Sequence, residues 1–316
     1  MPKRPVPLPL VARSIGILLA VLTAVACSTQ GPTPRPTGGP ASASPSATAG
    51  GDAASPSAPT AGDIEHRTAA TDVVLRFEYG GGFVPIEYLA SEAPGFTLFG
   101  NGVVVFQRTA TVFPEPDGNG VLRAIPWRTA SLDEGQIQDL LAFALGQGGL
   151  GTARLSYPST GVADAGDTIF TIHAGGVDKS VTINALGIDT QAGPDTAARA
   201  AFERLATRLR DFDQGGSIGS DVYRPDRYRG ILTVRDAAAK GVIAWPWPAV
   251  KPTDFVPGAN DGSGGPLVPH RAMSADEVAA LKLTGIEGGV QGLTLRGPDG
   301  KTYAFSLRPL LIDEAS

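Results

Sequence analysis

The sequence predicts an α+β fold, with antiparallel β-hairpins and sheets packed with about three helices behind a disordered N-terminal tether. Three observations carry this. Short β-rich runs close on Gly-containing turns at 96–106, 168–183 and 292–307. Helical apolar spacing occurs in three other stretches, two of them opened by a Ser-x-Asp-Glu signal. The regular strand–helix alternation of a parallel sheet is missing.

Taken in order, the chain opens on Lys3-Arg4, runs through an apolar segment from Ile15 to Val25, and reaches Ala26-Cys27-Ser28. Basic residues, a short apolar core and small residues before a cut site make a secretory signal. A membrane-spanning helix needs roughly 20 apolar residues, and Arg13 leaves too few. The box Leu22-Thr23-Ala24-Val25-Ala26-Cys27 resembles that of bacterial lipoprotein signals, with Ala24 where that family usually has Leu. The resemblance implies cleavage of residues 1–26, lipid attachment to Cys27, and anchoring on the extracytoplasmic face of the cell membrane. Cys27 is the single cysteine, so the fold has no internal disulfide to draw on.

Residues 27–71 are Pro, Ser, Thr, Ala and Gly with few large apolar side chains. Such a segment cannot bury enough surface to offset the entropy of ordering, and reads as a tether with an rms reach of roughly 35 Å. The remaining chain is apolar enough for a real core, at 42% hydrophobic residues overall. Net charge is −5, and loss of Lys3, Arg4 and Arg13 with the signal takes it to −8. An acidic exported chain without a basic stripe excludes nucleic acid as the natural partner.

The body is expected from Asp72. Val73 to Tyr79 reads as a strand closed by Gly80-Gly81-Gly82. Phe96–Phe99 and Val103–Phe106 flank Asn101-Gly102, a strong hairpin signal because both residues accept φ > 0. Val121 to Trp127 reads as a further strand. Ser131 as N-cap with Glu134 opens a helix carrying Ile137, Leu140, Leu141 and Leu145, stopped by the glycines of 146–151. A hairpin follows around Gly175-Gly176, then a helix from Pro194 to Phe212 with Ala198, Phe202, Leu205 and Leu209 on one face. The Gly/Ser-rich stretch 214–221 separates a first half, 72–215, from a second, 222–316, which is either its own domain or continuous with the first. The second half has a strand over Tyr228–Val234, a long Gly/Pro loop from Pro252 to Pro269, a helix opened by Ser274 and Glu277, and a hairpin around Gly297-Pro298-Asp299-Gly300. Ser-x-Asp-Glu, helix, hairpin thus occurs twice, as coincidence or as a repeat.

No pattern calls for a cofactor or a metal. Histidines at metal-ligand spacing and paired cysteines are missing. Asp117-Gly118-Asn119-Gly120 lacks the closing acidic residue of a calcium loop and reads as a turn. Gly80-Gly81-Gly82 leads into Phe83-Val84-Pro85, not into the helix N-terminus a phosphate loop needs. His173 reads as a half-buried sheet residue beside Ile169 and Thr171. Asp261-Gly262-Ser263-Gly264-Gly265-Pro266 resembles the nucleophile loop of trypsin-like proteases, with Asp and Gly exchanged. Of the histidines, His66 falls in the tether and His270 follows the serine, so the base that Ser263 needs has no clear source.

Two stretches point to ligand binding. Tyr223-Arg224-Pro225-Asp226-Arg227-Tyr228 interleaves cations with aromatics, which puts Arg224, Arg227 and Tyr228 forward as contacts for an anion or a sugar. Trp245-Pro246-Trp247, with proline restricting the backbone, offers two indoles as a stacking platform.

Phe77-Glu78-Tyr79-Gly80-Gly81-Gly82-Phe83-Val84-Pro85, Gly161 to Thr168 and Tyr303 to Asp313 together resemble a group of lipoproteins from high-GC bacteria. That group carries no assigned activity, so the resemblance implies class and location alone. The expected function is a membrane-anchored, non-catalytic lipoprotein whose body binds an envelope protein or a glycan. The alternatives are an envelope hydrolase using Ser263, and cell-wall glycan binding through Trp245 and Trp247.

Overall fold

The computed structural model describes residues 63–82, 91–159, 161–162, 164–188, 193–214, 216–235, 241–257 and 268–314. The chain divides into two compact units, Met1–Ser57 and Ala58–Ser316, and every described residue belongs to the second. The signal, Cys27, most of the tether and Ser263 lie outside the described residues.

The fold is α+β, as expected, and is built on two sheets. The strands of the first are β1 (Val73–Gly80), β2 (Phe96–Phe99), β3 (Val103–Phe106), β5 (Arg128–Ser131), β6 (Ser156–Tyr157), β7 (Asp167–Ala174), β8 (Val177–Asn184) and β9 (Asp221–Val222). Their order is β6-β8-β7-β1-β2-β3-β5-β9. The second holds β10 (Arg227–Val234), β11 (Ile243–Ala244), β12 (Val256–Pro257), β13 (Pro269–Ser274), β14 (Val290–Arg296) and β15 (Thr302–Pro309) in the order β11-β14-β15-β10-β13-β12. The two-residue strand β4 (Leu122–Arg123) joins the second sheet alongside β14. All pairings are antiparallel among the described residues, except β6 with β8 and β11 with β14.

Two helices, α1 (Glu134–Leu145) and α2 (Thr196–Arg210), cover one face of the first sheet. Ile137, Leu140, Leu141 and Ala144 of α1 and Phe202, Leu205 and Leu209 of α2 meet Phe77, Leu98, Phe106 and Phe170 in one core. On β7, Thr168, Phe170, Ile172 and Ala174 point inward, and His173 lies on the other face with Ile169 and Thr171. β2 and β3 are buried on both sides, which explains why apolar residues fill both faces apart from Thr97, which accepts from Arg76 Nε at 3.2 Å. Phe96 and Leu98 face the helices, whereas Phe99 and Val105 face Trp127, Tyr223 and Leu311. Leu311 follows the last strand of the second sheet, so the chain's end covers the outer face of the first.

Several expectations need correction. The body includes Ile64–His66, ahead of Asp72 where it was expected to begin. The Ile64 N–H donates to Gln138 Oε1 at 2.7 Å, and Gln138 Nε2 donates back to the Ile64 carbonyl at 3.0 Å. The Gly175 N–H donates to the Glu65 carbonyl at 2.7 Å, and His66 forms a β-bridge with Ala174. These bonds give Ile64–His66 defined partners that local composition does not reveal. Val121–Trp127 is no single strand: Leu122–Arg123 pairs in one sheet, and Arg128–Ser131 pairs in the other. The boundary at 214–221 is crossed at once, because β9 returns to pair with β5.

The first helix is capped two residues later than its sequence signal indicates. Ser131 is spent pairing β5 with Val103, and Asp133 becomes the N-cap. The Gln136 N–H donates to Asp133 Oδ1 at 2.8 Å, and the Asp133 N–H donates to Gln136 Oε1 at 3.0 Å. Asp133→Ala is therefore expected to cost about 1 kcal/mol, and Ser131→Ala less than about 0.5 kcal/mol. Urea unfolding of the two variants checks this, and equal losses would return the cap to Ser131. The second box forms as read: the Glu277 N–H donates to Ser274 Oγ at 3.2 Å, opening the short α3 (Ala275–Ala279).

The two Ser-x-Asp-Glu units are not copies of one fold. In the first sheet the hairpin joins its neighbour β1 through its first strand, β7. In the second the hairpin joins β10 through its second strand, β15.

Candidate ligand groove

The second sheet's core is aromatic at one end, and a groove lies over that end. β10 alternates Tyr228, Gly230 and Leu232 toward the core, and β15 supplies Tyr303, Phe305 and Leu307. Gly230 makes room for the rings: a Cβ there would run into the Met273 sulfur and stand 3.1 Å from Phe305 and 3.2 Å from Phe255. Phe255 can thus pack edge-on to Phe305 and to Trp245, each with ring centroids 6.2 Å apart.

The wall comes from the segment after β11. Its parallel pairing with β14 continues as the Trp245 N–H donates to the Arg296 carbonyl at 3.1 Å. Pro246 restricts the backbone between the two tryptophans, and Pro248 does so just after them. Trp245 Nε1 donates to the Val250 carbonyl and Trp247 Nε1 to the Glu277 carbonyl, both at 2.7 Å. The chain then turns at Pro252–Asp254, where Asp254 Oδ2 accepts from the Lys251 N–H at 2.8 Å. Between this wall and the β14–β15 turn lies a groove of about 640 Å³, bordered by Trp245, Trp247, Lys251, Arg296, Pro298 and Asp299 among others.

The two-indole platform needs revision. The rings stand at 87° with centroids 5.0 Å apart, and Trp247 is only 4% exposed. Edge-to-face packing makes Trp247 a support, and Trp245, half-buried, is the ring that offers surface. Both indole N–H groups are used internally, so the groove's polar contacts must come from elsewhere.

Those contacts sit on the rim. Arg296 Nη1 donates to the Gly300 carbonyl at 3.1 Å, and neither Arg296 nor Lys251 has an ion pair among the described residues. Asp299 is occupied: its Oδ2 accepts from the Tyr303 hydroxyl at 2.6 Å and its Oδ1 from the Lys301 N–H at 3.1 Å. The Tyr303 hydrogen bond holds the Asp299 carboxyl below its usual range. Burial, then the bond to Asp299, pushes Tyr303 up to about 12. The turn carboxylate thus stays ionised with its oxygens committed to its own hairpin, so the groove carries two cations against one carboxylate, and neither cation is in an ion pair among the described residues.

Arg224, Arg227 and Tyr228 do not join this site. Tyr228 is 9% exposed in the sheet's core, paired with Pro309, whereas Tyr303 beneath the groove pairs with Val234 at the other end of β10. Six residues of strand place the two about 20 Å apart. The alternation of Arg and Tyr follows the two faces of the strand: Tyr228 lies in the core, and the half-buried Arg227 and Arg229 lie on the opposite face. Arg224 is exposed before the strand begins.

His173 and His270 are also held apart, in different sheets. His173 Nδ1 lies 2.8 Å from Asp178 Oδ1 across the β7–β8 hairpin, and His270 Nδ1 lies 3.0 Å from the Val268 carbonyl in the other sheet. At Asp117, Oδ1 accepts from the Asn119 and Val121 N–H groups and Oδ2 from Arg123, which is turn chemistry. A second hollow of about 420 Å³, bordered by Leu122, Thr233, Gln291 and Ser306, has Arg235 as its charged side chain, and Arg235 donates to Thr294 Oγ1 at 3.0 Å.

Lys251, Arg296 and Asp299 went unremarked in the sequence, where the last belongs to an ordinary hairpin turn. Only the pairing of β11 with β14 brings that turn to Trp245, and no local signal announces it. In comparison with known proteins, no family model, curated protein or solved structure matches the chain.

Proposed function

We propose that the chain is an exported lipoprotein, anchored through Cys27 on the extracytoplasmic face of the membrane. Its α+β body is a non-catalytic binding module, and the groove at Trp245 takes a glycan of the cell envelope. The observation that carries the binding reading is the groove itself, which has one partly open indole backed by a rigid aromatic cluster, with polar side chains on the rim. The leader sequence and its box before Cys27 support the anchor.

The binding arm of the test is a pull-down of the detergent-solubilised full chain on cell-wall polysaccharide. Trp245→Ala is expected to lower retention about tenfold, as loss of one stacking contact worth about 1–1.5 kcal/mol would. Retention that survives Trp245→Ala unchanged would move the site elsewhere. For the anchor, metabolic lipid labelling is expected to mark the wild type and spare Cys27→Ser.

A further inference from the structure

We infer that the groove's ligand is an anionic glycan, with a carboxylate or phosphate seated between Lys251 and Arg296 while a sugar ring lies against Trp245. This rests on the glycan-binding reading above and narrows its substrate class.

Charge is what narrows it. The chain as a whole is acidic, with 31 Asp and Glu against 26 Lys and Arg. Several arginines of the body meet carboxylates, such as Arg76 with Asp313 and Arg308 with Glu314, and others, such as Arg199 and Arg235, are taken up by carbonyl or hydroxyl oxygens inside the fold. The groove differs in setting two cations on one open surface. Lys251 and Arg296 border it from opposite walls, and its carboxylate, Asp299, is already hydrogen-bonded within its own turn. With Nη1 of Arg296 on the Gly300 carbonyl, its Nε and Nη2 have no partner among the described residues. That edge is the fork a carboxylate or phosphate accepts in bidentate fashion. Lys251 adds a point charge with three donors.

A neutral sugar would leave both cations unused, and a small free anion would leave the indole unused. An acidic saccharide uses both. Pro298 beside Arg296 and Pro252 beside Lys251 restrict the backbone on the two walls, so little order has to be gained when the ligand arrives.

The test uses the full chain in detergent and affinity electrophoresis through polygalacturonate, a phosphate-bearing mannan, dextran and polyglutamate. Retardation by polygalacturonate or by the phosphomannan, weakening as salt rises, is expected, and which of the two binds tighter identifies the anion. The Lys251→Gln/Arg296→Gln double variant is expected to weaken that binding about tenfold or more. Both side chains are exposed, so the thermal transition should not move. Equal retardation by dextran and the acidic polymers, unchanged in the double variant, would overturn the anionic ligand and leave glycan binding standing. Retardation by polyglutamate alone would overturn both readings and reassign the groove to an acidic protein. No retardation by any polymer would likewise overturn both.

Discussion

Arg308→Met is expected to destabilise the body by about 3–5 kcal/mol, the cost of leaving a buried ion-pair partner uncompensated. Arg308 is 4% exposed on β15. Its Nη1 and Nη2 donate to the two oxygens of Glu314 at 2.9 and 2.7 Å, and Glu314 Oε2 also accepts from the Leu311 N–H at 2.9 Å. Next to this pair, Arg76 Nη2 donates to both oxygens of Asp313 at 2.8 and 2.7 Å. Glu78, on the same strand as Arg76, feels both Asp313 and Glu314. Without Arg308, Glu78, Asp313 and Glu314 are left with Arg76 and the more distant charge of Arg229, in a place with little water. The Leu311 bond that holds the chain's end over Phe99 and Val105 loosens with it. Urea unfolding followed by circular dichroism reads the loss, which should lower the melting temperature on the order of 10 °C. Adding Glu314→Gln to Arg308→Met should recover part of it, because the buried negative charge goes too. A single variant as stable as wild type would show that this corner is wetter than its burial indicates.

Stability is expected to peak near pH 4.5, below the range where most proteins peak. Burial alone would raise the Glu314 carboxyl, but the Arg308 hydrogen bonds and charge outweigh it and lower the group from 4.5 to about 2. A depressed folded value means stability that is present above 4.5 and lost as pH falls toward 2. For Glu314 that is about 3 kcal/mol, at 1.36 kcal/mol for each tenfold change in proton affinity. Glu92 has the opposite sign. Burial raises it from 4.5 to about 7, so its contribution is present below 4.5 and lost as pH rises through 7. Glu78 is raised as well, by burial first and then by Glu314 and Asp313, against Arg76. The descending limb is the shallower one, since Glu92 keeps part of its hydration. Chemical denaturation from pH 2 to pH 8 should trace a rise followed by a fall, and Glu92→Gln should flatten the fall. A curve still climbing from pH 4.5 to pH 7 would contradict the reading of Glu92.

How much of this was legible in the sequence follows the range of the interactions. Asn101-Gly102, Gly175-Gly176 and the turn at 297–300 each close a hairpin whose partners lie a few residues away, and all three form where expected. The apolar faces of α1 and α2 were readable for the same reason. The N-cap slipped from Ser131 to Asp133 because a strand from elsewhere claimed Ser131 first. Ile64 to His66 interrupt the Pro/Ser/Thr/Ala/Gly-rich run too briefly to read as an element, and contacts with Gln138 and Gly175 join them to the body. The site was legible in its ring and illegible in its charges. Trp245 stands out in any reading, whereas Lys251 and Arg296 acquire meaning only when β11 lies along β14. Tyr228 and Arg227 failed the other way, since interleaved aromatics and cations also describe a half-buried strand.

The exchange of short strands between the sheets bears on how such a chain can be inherited. A recombination joint in 214–221 cuts where the composition invites it, yet both products lose more than a linker. The upstream piece keeps Arg128 and Thr129 without the β9 edge they pair with, and exposes Phe99 and Val105 where Leu311 would have covered them. The downstream piece lacks Leu122 and Arg123 beside Val290, together with the Val121 that packs in its core. Open strand edges and bare apolar faces are what aggregation recognises. The two sheets are therefore expected to travel through genomes as one cassette, and a search for either alone fused to a foreign partner should come back empty.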